Sequence, residues 1–202
     1  MLMRVNLALG LGGVLVGVVG VLLTIYYARK AEELNRKRKR LEWADIQAAA
    51  NDLGQRIKKD FSPAAIVTPG LTGATFANLL AEEFMGQPPV FVGTRTWKES
   101  PYTIIPDRGV FAIETKKWIV TIPEAIFEYC NGTILIVDDF VMSGDFLETL
   151  KDTLITSGFA SDQIKSAAIA VTKVAIKNHK SADYYWWVAD DDDFFFPWGK
   201  AR

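Results

Sequence analysis

Two adjacent carboxylates, Asp138 and Asp139, are the residues of this chain whose types and position best suit chemistry. They follow four apolar residues, 134–137, that are typical of a buried strand. A serine-glycine turn then leads into an apolar helical pattern over 146–150. Paired acids can accept hydrogen bonds from a sugar diol or help to hold a cation, and the free amides at the start of a helix bind anions. The run therefore predicts a site for a sugar phosphate.

The rest of the chain predicts the elements that must position these acids. Apolar runs typical of buried strands occur at residues 64–68, 90–93 and 167–174, and helical patterns occur at 74–84 and from 146 to about 157. Strands that alternate with helices favour an α/β fold with a mainly parallel sheet and helices on both faces. Ligands of such sheets bind beyond the carboxyl ends of the strands, which is where the two acids fall.

Three further segments have weaker patterns. Residues 41–57 have the apolar spacing of a helix. Residues 97–118 have no clean period and contain two prolines, which favours a long loop or a hairpin. Residues 123–129 are interpreted as a short helix or turn.

Composition limits the classes of function. A chain of 202 residues with a net charge of −1 is long enough for one main domain and gives no reason to expect a nucleic-acid partner. Cys130 is the only cysteine, so neither a disulfide framework nor a cysteine-rich zinc site is possible. His179 is the only histidine and lies in a polar run, which favours a surface position over a catalytic one.

The amino-terminal part of the chain carries an uncharged run from residue 5 to residue 27, rich in valine, leucine and glycine. At about 1.5 Å per residue, a helix of this length reaches roughly 35 Å, enough to cross a bilayer. The run predicts a transmembrane helix at 5–27, followed by a basic juxtamembrane helix at 28–41 and a domain at 42–202. The lysines and arginines after the run favour a single-pass membrane protein with a cytoplasmic carboxyl-terminal domain.

Two other interpretations of this run are a cleaved signal peptide and a buried helix. A signal peptide has a shorter apolar region with its charges in front, whereas here the charges follow a long run. Gly13 and Gly17 have the spacing of a helix-packing motif, which leaves self-association of the helix open.

The run at 134–144 resembles the 5-phosphoribosyl 1-diphosphate (PRPP) motif of type I phosphoribosyltransferases: an apolar strand, two acids, two apolar residues and a small phosphate loop. The order of elements over 42–202 is similar to the fold of that family. Lys173 at the end of a strand and the aromatic-Pro-Trp tail at 194–198 are closest to the purine and xanthine-guanine branch. The alternative for the tail is core packing with an edge strand.

The resemblance implies a set of site residues. The catalytic acids, which also bind the ribose and the metal, are Asp138 and Asp139. The loop for the ribose 5′-phosphate comprises Met142, Ser143, Gly144, Asp145 and Phe146. The pyrophosphate loop comprises Thr68, Pro69, Gly70, Leu71, Thr72 and Gly73, and the base-binding residues are Lys173 and Phe194. The implied cofactor is Mg²⁺, and a flexible loop from about 95 to 117 closes over the site.

The chain departs from the family pattern at several of these positions. Phe146 replaces a residue whose hydroxyl contacts the 5′-phosphate, and Asp145 puts a negative charge beside it. Met142 replaces an acid found in 6-oxopurine enzymes, and a methionine cannot take a proton. The pyrophosphate loop lacks the usual arginine, for which Arg95 or Lys98 is the candidate replacement.

These features leave three functions open. The first is a membrane-anchored, cytoplasm-facing phosphoribosyltransferase that moves the 5-phosphoribosyl group from PRPP to a purine-like base and releases pyrophosphate. The second is a catalytically degenerate module that binds PRPP or a nucleotide and regulates a membrane or protein partner. The third is a membrane scaffold that acts through assembly of its amino-terminal helix. The resemblance also implies a possible homodimer.

Overall fold

The structure is a computed structural model that describes residues 19–30, 39–100 and 109–201. The chain divides into two compact units, Met1–Lys39 and Arg40–Arg202. In the first unit, residues 19–30 are helical and their side chains are exposed. The acids and all the predicted site residues belong to the second unit.

The prediction of a single-pass membrane protein is wrong. Within the described residues, no helix is both long and apolar enough to cross a bilayer. Part of the predicted span, residues 5–18, and most of the predicted basic helix, residues 31–38, lie outside the described residues.

The second unit alternates strands with helices along most of its length. Its strands are β1 (Ala65–Thr68), β2 (Val90–Val92), β3 (Thr94–Trp97), β4 (Val110–Glu114), β5 (Trp118–Pro123), β6 (Ile134–Val141), β7 (Ile164–Thr172), β8 (Tyr184–Ala189), β9 (Phe195–Phe196) and β10 (Gly199–Lys200). Its α-helices are α1 (Trp43–Ile57), α2 (Leu71–Glu82), α3 (Asp145–Thr156) and α4 (Lys173–Lys177). A 3₁₀ helix at Glu124–Tyr129 confirms the short helix predicted there.

Five of these strands form one parallel sheet in the order β2-β1-β6-β7-β8. The strand with the two acids, β6, is therefore the central one. Every residue of β6 is buried, as its continuous apolar run predicts for a strand covered on both faces. The predicted α/β fold with a parallel sheet is confirmed.

Helices cover both faces of this sheet. Side chains alternate between the faces of a strand, so Leu135 and Val137 of β6 pack into the core under α1 and α2. Ile134 and Ile136 point the other way, into the core that includes Leu150 of α3. The two helices that begin beside the acids, α2 and α3, thus lie on opposite faces of the sheet.

A second, antiparallel sheet with the order β3-β5-β4 arises from the segment whose pattern left a loop or a hairpin open. The hairpin alternative is the one observed, because β4 and β5 are joined by a tight turn at 115–117. Trp97 of β3 lies opposite Trp118 of β5, and their ring centroids are 4.7 Å apart. Residues 101–108 lie outside the described residues.

The aromatic tail folds as a small hairpin of β9 and β10. Gly199 has φ +140°, a conformation that favours glycine and that lets the chain reverse after Pro197-Trp198. Outside the hairpin, the N–H of Leu41 donates to the carbonyl of Phe195 at 2.8 Å. The tail is therefore fastened to the chain segment that precedes α1.

Candidate active site

The acid pair lies at the carboxyl end of β6, where the sheet predicts a ligand site. Asp138 is 5% exposed and Asp139 is 6% exposed. The N–H of Asp139 donates to Oδ1 of Asp138 at 3.0 Å, so the two groups are held in a fixed relation. Ionising both of two buried, neighbouring carboxyl groups costs free energy, because burial and the like charge each disfavour the second charge.

Burial, together with the negative charge of Asp139, raises the pKa of Asp138 from 3.8 to about 8, and burial is the larger cause. The positive charge of Arg95 acts against this shift. At neutral pH the side chain of Asp138 is therefore mostly a neutral acid, which can donate a hydrogen bond as well as accept one. The pair therefore includes a group that can donate a hydrogen bond to a ligand.

Asp139 accepts hydrogen bonds from two distant parts of the chain. The hydroxyl of Thr72, in the first turn of α2, donates to Oδ1 at 3.4 Å. The indole Nε1–H of Trp198, at the tip of the tail hairpin, donates to Oδ2 at 3.0 Å. Both carboxylate oxygens are thus already engaged by protein donors.

The predicted pyrophosphate loop runs from the last residue of β1 to the start of α2. The hydroxyl of Thr68 donates to the carbonyl of Gly70 at 3.1 Å, which tightens the loop. A Cβ on Gly73 would lie 2.5 Å from Oγ1 of Thr68 and 3.3 Å from Oδ1 of Asp138, so only glycine lets α2 approach the acid this closely. Leu71 is exposed, and Pro69 is buried behind it.

The predicted 5′-phosphate loop joins β6 to α3. Gly144 has φ +81°, and a Cβ there would lie 2.0 Å from the carbonyl oxygen of Lys180. The carbonyl of Met142 accepts a hydrogen bond from the hydroxyl of Thr172, while its own side chain is exposed. The loop is therefore fixed by contacts with the last residue of β7 and with the segment that follows α4.

The charge of Asp145 is not left unpaired in this loop. Its carboxylate accepts from Nζ of Lys180 at 2.8 Å and from the hydroxyl of Ser143 at 3.0 Å. The bond to Lys180 is the main cause that lowers the pKa of Asp145. Lys180 also pairs with Glu148 of α3 at 2.7 Å. The repulsion expected from Asp145 is offset by a lysine that lies 35 residues away in the sequence.

Arg95, from β3, supplies the positive charge at the acid pair. Its guanidinium lies over two aromatic rings, 5.3 Å from the centroid of Trp118 and 5.6 Å from that of Phe146. The other candidate, Lys98, is paired with Glu114 at 2.9 Å. Phe146, which removes a hydroxyl from the phosphate loop, therefore positions a cation beside it.

A cavity of about 370 Å³ opens beside the acid pair. Its lining comprises Thr72, Arg95, Trp118, Asp139, Trp198, Gly199 and Lys200. Of the predicted site residues, only Thr72 and Asp139 line it. Trp118 and Trp198 present aromatic surface here. Neither was predicted from the sequence as a site residue, although the Pro-Trp tail from which Phe194 was chosen contains Trp198.

The two predicted base-binding residues do not line this cavity. Phe194 is 2% exposed and packs edge-on against Phe140, Trp187 and Phe196 in the core. Lys173 is an exposed residue at the start of α4 that pairs with Asp190 at 2.5 Å. The tail thus contributes core packing through Phe194, the alternative that its composition left open.

The two carboxylates suit a cation that is shared with a ligand. Within the described residues no group of three or more histidine, cysteine, aspartate or glutamate side chains could hold a metal ion. Mg²⁺ often binds through one or two carboxylates together with substrate phosphates. Asp138 and Asp139 fit that arrangement, and a site built from protein groups alone does not fit.

Fold and site together define an α/β protein with a ligand site at the carboxyl ends of β1 and β6, between the starts of two helices. The sequence model of the phosphoribosyl transferase domain matches residues 41–201. The chain therefore belongs to the phosphoribosyltransferase family, as its motif predicted. No curated protein matches the chain in sequence.

Solved structures share this fold at low sequence identity. A purine phosphoribosyltransferase from Pyrococcus horikoshii superposes with a TM-score of 0.57 at 22% identity, over 80% of this chain and 94% of that one. The xanthine-guanine-hypoxanthine phosphoribosyltransferase of Helicobacter pylori gives 0.52 at 16% identity, over 80% and 93%. A hypothetical protein from Neisseria gonorrhoeae with bound ppGpp gives 0.56 at 16% identity, over 80% and 89%.

Proposed function

We propose that the domain transfers the 5-phosphoribosyl group from PRPP to a purine-like base and releases pyrophosphate. The observation that carries this proposal is the meeting of two helix-opening loops at one buried acid pair. The loop at 68–73 opens α2 and the loop at 142–146 opens α3, so two sets of free amides flank Asp138 and Asp139. Such a site suits a sugar with a phosphate at each end.

The acid pair would hold the ribose. Asp139 accepts hydrogen bonds from the ribose hydroxyls, and the neutral side chain of Asp138 can donate as well as accept. As the bond to pyrophosphate breaks, positive charge develops on the ring, and the negative charge of Asp139 stabilises it. A nitrogen atom of the base then forms the new bond to C1.

The 5′-phosphate would bind at the start of α3. Ser143, Asp145 and Phe146, at the start of α3, line a cavity of about 430 Å³. Lys116 and Lys117, from the turn between β4 and β5, line the same cavity. Their charges compensate for the hydroxyl lost at Phe146.

Pyrophosphate would leave from the start of α2, with Arg95 as its counter-charge. A Cβ on Gly70 would lie 3.9 Å from Nε of Arg95, so the guanidinium reaches the loop that lacks its own arginine. Mg²⁺ would be held by Asp139, by Asp138 once it has given up its proton, and by pyrophosphate, and its charge would neutralise the leaving group. The aromatic surface of Trp118 and Trp198 suits the flat face of a base. The purine class is further supported by the names of the similar solved structures.

A second candidate is a module that binds PRPP or a nucleotide without turnover and regulates a protein partner. It is favoured by the internal contacts of the site. The hydroxyl of Ser143 donates to Asp145, and both oxygens of Asp139 already accept hydrogen bonds from protein donors.

Calorimetry of the protein with PRPP and Mg²⁺, followed by an assay for pyrophosphate in the presence of purine bases, separates the two functions. The transferase predicts micromolar binding and base-dependent pyrophosphate release, both lost in the Asp138→Asn/Asp139→Asn double variant. Asp162→Asn is the matched control, because Asp162 lies in the 3₁₀ helix that precedes β7, at the opposite end of the sheet. Binding of PRPP without pyrophosphate release supports the module. No binding of PRPP by the folded protein refutes the transferase, and leaves the module only if a purine nucleotide binds in the same calorimetry.

A further inference from the structure

Trp198 is held in place by three contacts around its indole ring. Its Nε1–H donates to Oδ2 of Asp139 at 3.0 Å. One face stacks on Phe196, with ring centroids 5.0 Å apart and planes inclined by 6°. The ring of Trp43, from the first turn of α1, lies 5.8 Å away. The indole is thus a fixed part of the cavity wall and occupies one oxygen of the Asp139 carboxylate.

The hairpin that carries Trp198 is fastened to residues 40–43. Arg40 forms a parallel bridge with Phe195, and its guanidinium lies 5.1 Å from the centroid of that ring. The N–H of Leu41 donates to the carbonyl of the same residue at 2.8 Å. A displacement of residues 40–43 therefore pulls on the hairpin and, through it, on the hydrogen bond to Asp139.

A ribose diol needs the oxygen that Trp198 occupies. Asp139 is 6% exposed, and Trp198 and Thr72 each donate to one of its two oxygens. The contact to Thr72 is long, at 3.4 Å, whereas the contact to Trp198 is a full hydrogen bond. Of the two donors, Trp198 is thus the stronger competitor for a ligand hydroxyl.

We propose that Trp198 is a displaceable latch on Asp139, which competes with the ribose hydroxyls of the ligand, and that residues 40–43 control how readily the latch opens. The identity of the ligand as a ribose phosphate rests on the proposed function. The hydrogen bond from Trp198 to Asp139 and its coupling to residues 40–43 do not depend on that function. The structure thus represents the latched form of the site.

Binding of PRPP with Mg²⁺ to Trp198→Phe tests the latch. Phenylalanine keeps a ring for stacking on Phe196 but removes the competing N–H, so the variant binds about tenfold more tightly than the wild type, the net value of a hydrogen bond to a charged group. Trp43→Ala, which leaves Asp139 untouched, has a smaller effect in the same direction. Trp186→Phe, in β8, is the matched control and leaves affinity unchanged.

Indole N–H resonances of the ¹⁵N-tryptophan-labelled protein provide a readout that does not depend on turnover. The resonance lost in Trp198→Phe is protected from exchange in the free protein, loses that protection in Asp139→Ala, and shifts when PRPP binds. In Trp43→Ala it exchanges faster than in the wild type. An indole that exchanges freely in the wild type overturns the latch.

The two proposals fail in different ways. Equal or weaker binding of PRPP to Trp198→Phe overturns the latch even if the wild type transfers phosphoribosyl groups. Tighter binding of PRPP to Trp198→Phe, with no pyrophosphate released from PRPP in the presence of any base, supports the latch and overturns the transferase. If neither protein binds PRPP, the latch has no ligand to compete with and is refuted.

Discussion

The raised pKa of Asp138 predicts an unusual dependence of stability on pH. In the unfolded chain this group titrates at its ordinary value of 3.8, whereas in the folded protein it titrates at about 8. Between these values the folded protein holds one proton more than the unfolded chain. The free energy of unfolding therefore falls as the pH rises through this window, by about 1.4 kcal/mol per pH unit.

Asp138→Asn removes this dependence. An amide has the shape of the carboxyl group and stays neutral, so it matches the protonated form that the buried site prefers. The variant is as stable as the wild type near pH 4 and about 4 kcal/mol more stable at pH 7, and the difference levels off above pH 8. The same change abolishes or weakens PRPP binding if Asp138 contacts the ribose.

Urea unfolding across pH 4 to pH 8 measures this difference. The lowered pKa values of Asp145 and Asp183 make both proteins lose stability as the pH falls, and this effect cancels when the two curves are subtracted. Asp162→Asn is the control, since an exposed side chain at the far end of the sheet gives a curve parallel to the wild type. A difference between Asp138→Asn and wild type that stays constant with pH refutes the reasoning.

Three further predictions concern the loops. Gly144→Ala destabilises the protein by roughly 2–4 kcal/mol in urea unfolding, because φ is positive there and the new Cβ would lie 2.0 Å from the carbonyl oxygen of Lys180. Gly86→Ala is the control: its φ is +85° but the space around it is open, so the loss is only about 1 kcal/mol. Equal losses of stability in the two variants would contradict this reasoning. In calorimetry, Arg95→Gln weakens pyrophosphate binding about tenfold or more, while Lys98→Gln, whose partner is Glu114, leaves it unchanged. Lys180→Met weakens the binding of ribose 5-phosphate, because the carboxylate of Asp145 then lacks its partner and repels the phosphate. An unchanged affinity in calorimetry would show that the ion pair between Lys180 and Asp145 is not needed.

The pattern of apolar residues correctly predicted strands of the central sheet, but its prediction for the amino-terminal run was wrong. The strand at 134–137 could be predicted from its apolar run and the acids after it alone, because a strand of a parallel sheet is buried on both faces whatever its neighbours are. A membrane span requires one continuous, apolar helix of about 20 residues. No helix in the described part of the chain meets that requirement.

The aromatic tail shows a second limit of sequence. Phe194 and Trp198 lie four positions apart and both suit a flat ligand by residue type. In the structure Phe194 fills the core, while Trp198 reaches the cavity. Which aromatic side chain is buried depends on how the hairpin of β9 and β10 packs on the sheet, and residue type does not encode that.

The sequence by itself determined the α/β fold, the strand that carries the acids and the two loops beside them, because these follow from local patterns of apolar residues, glycines and acids. Only the tertiary structure decided the chemistry of the acids. The donors to Asp139 come from 67 and 59 residues away, and Arg95 arrives from a separate sheet. Burial and neighbouring charge set the pKa of Asp138, and both are properties of the packed molecule.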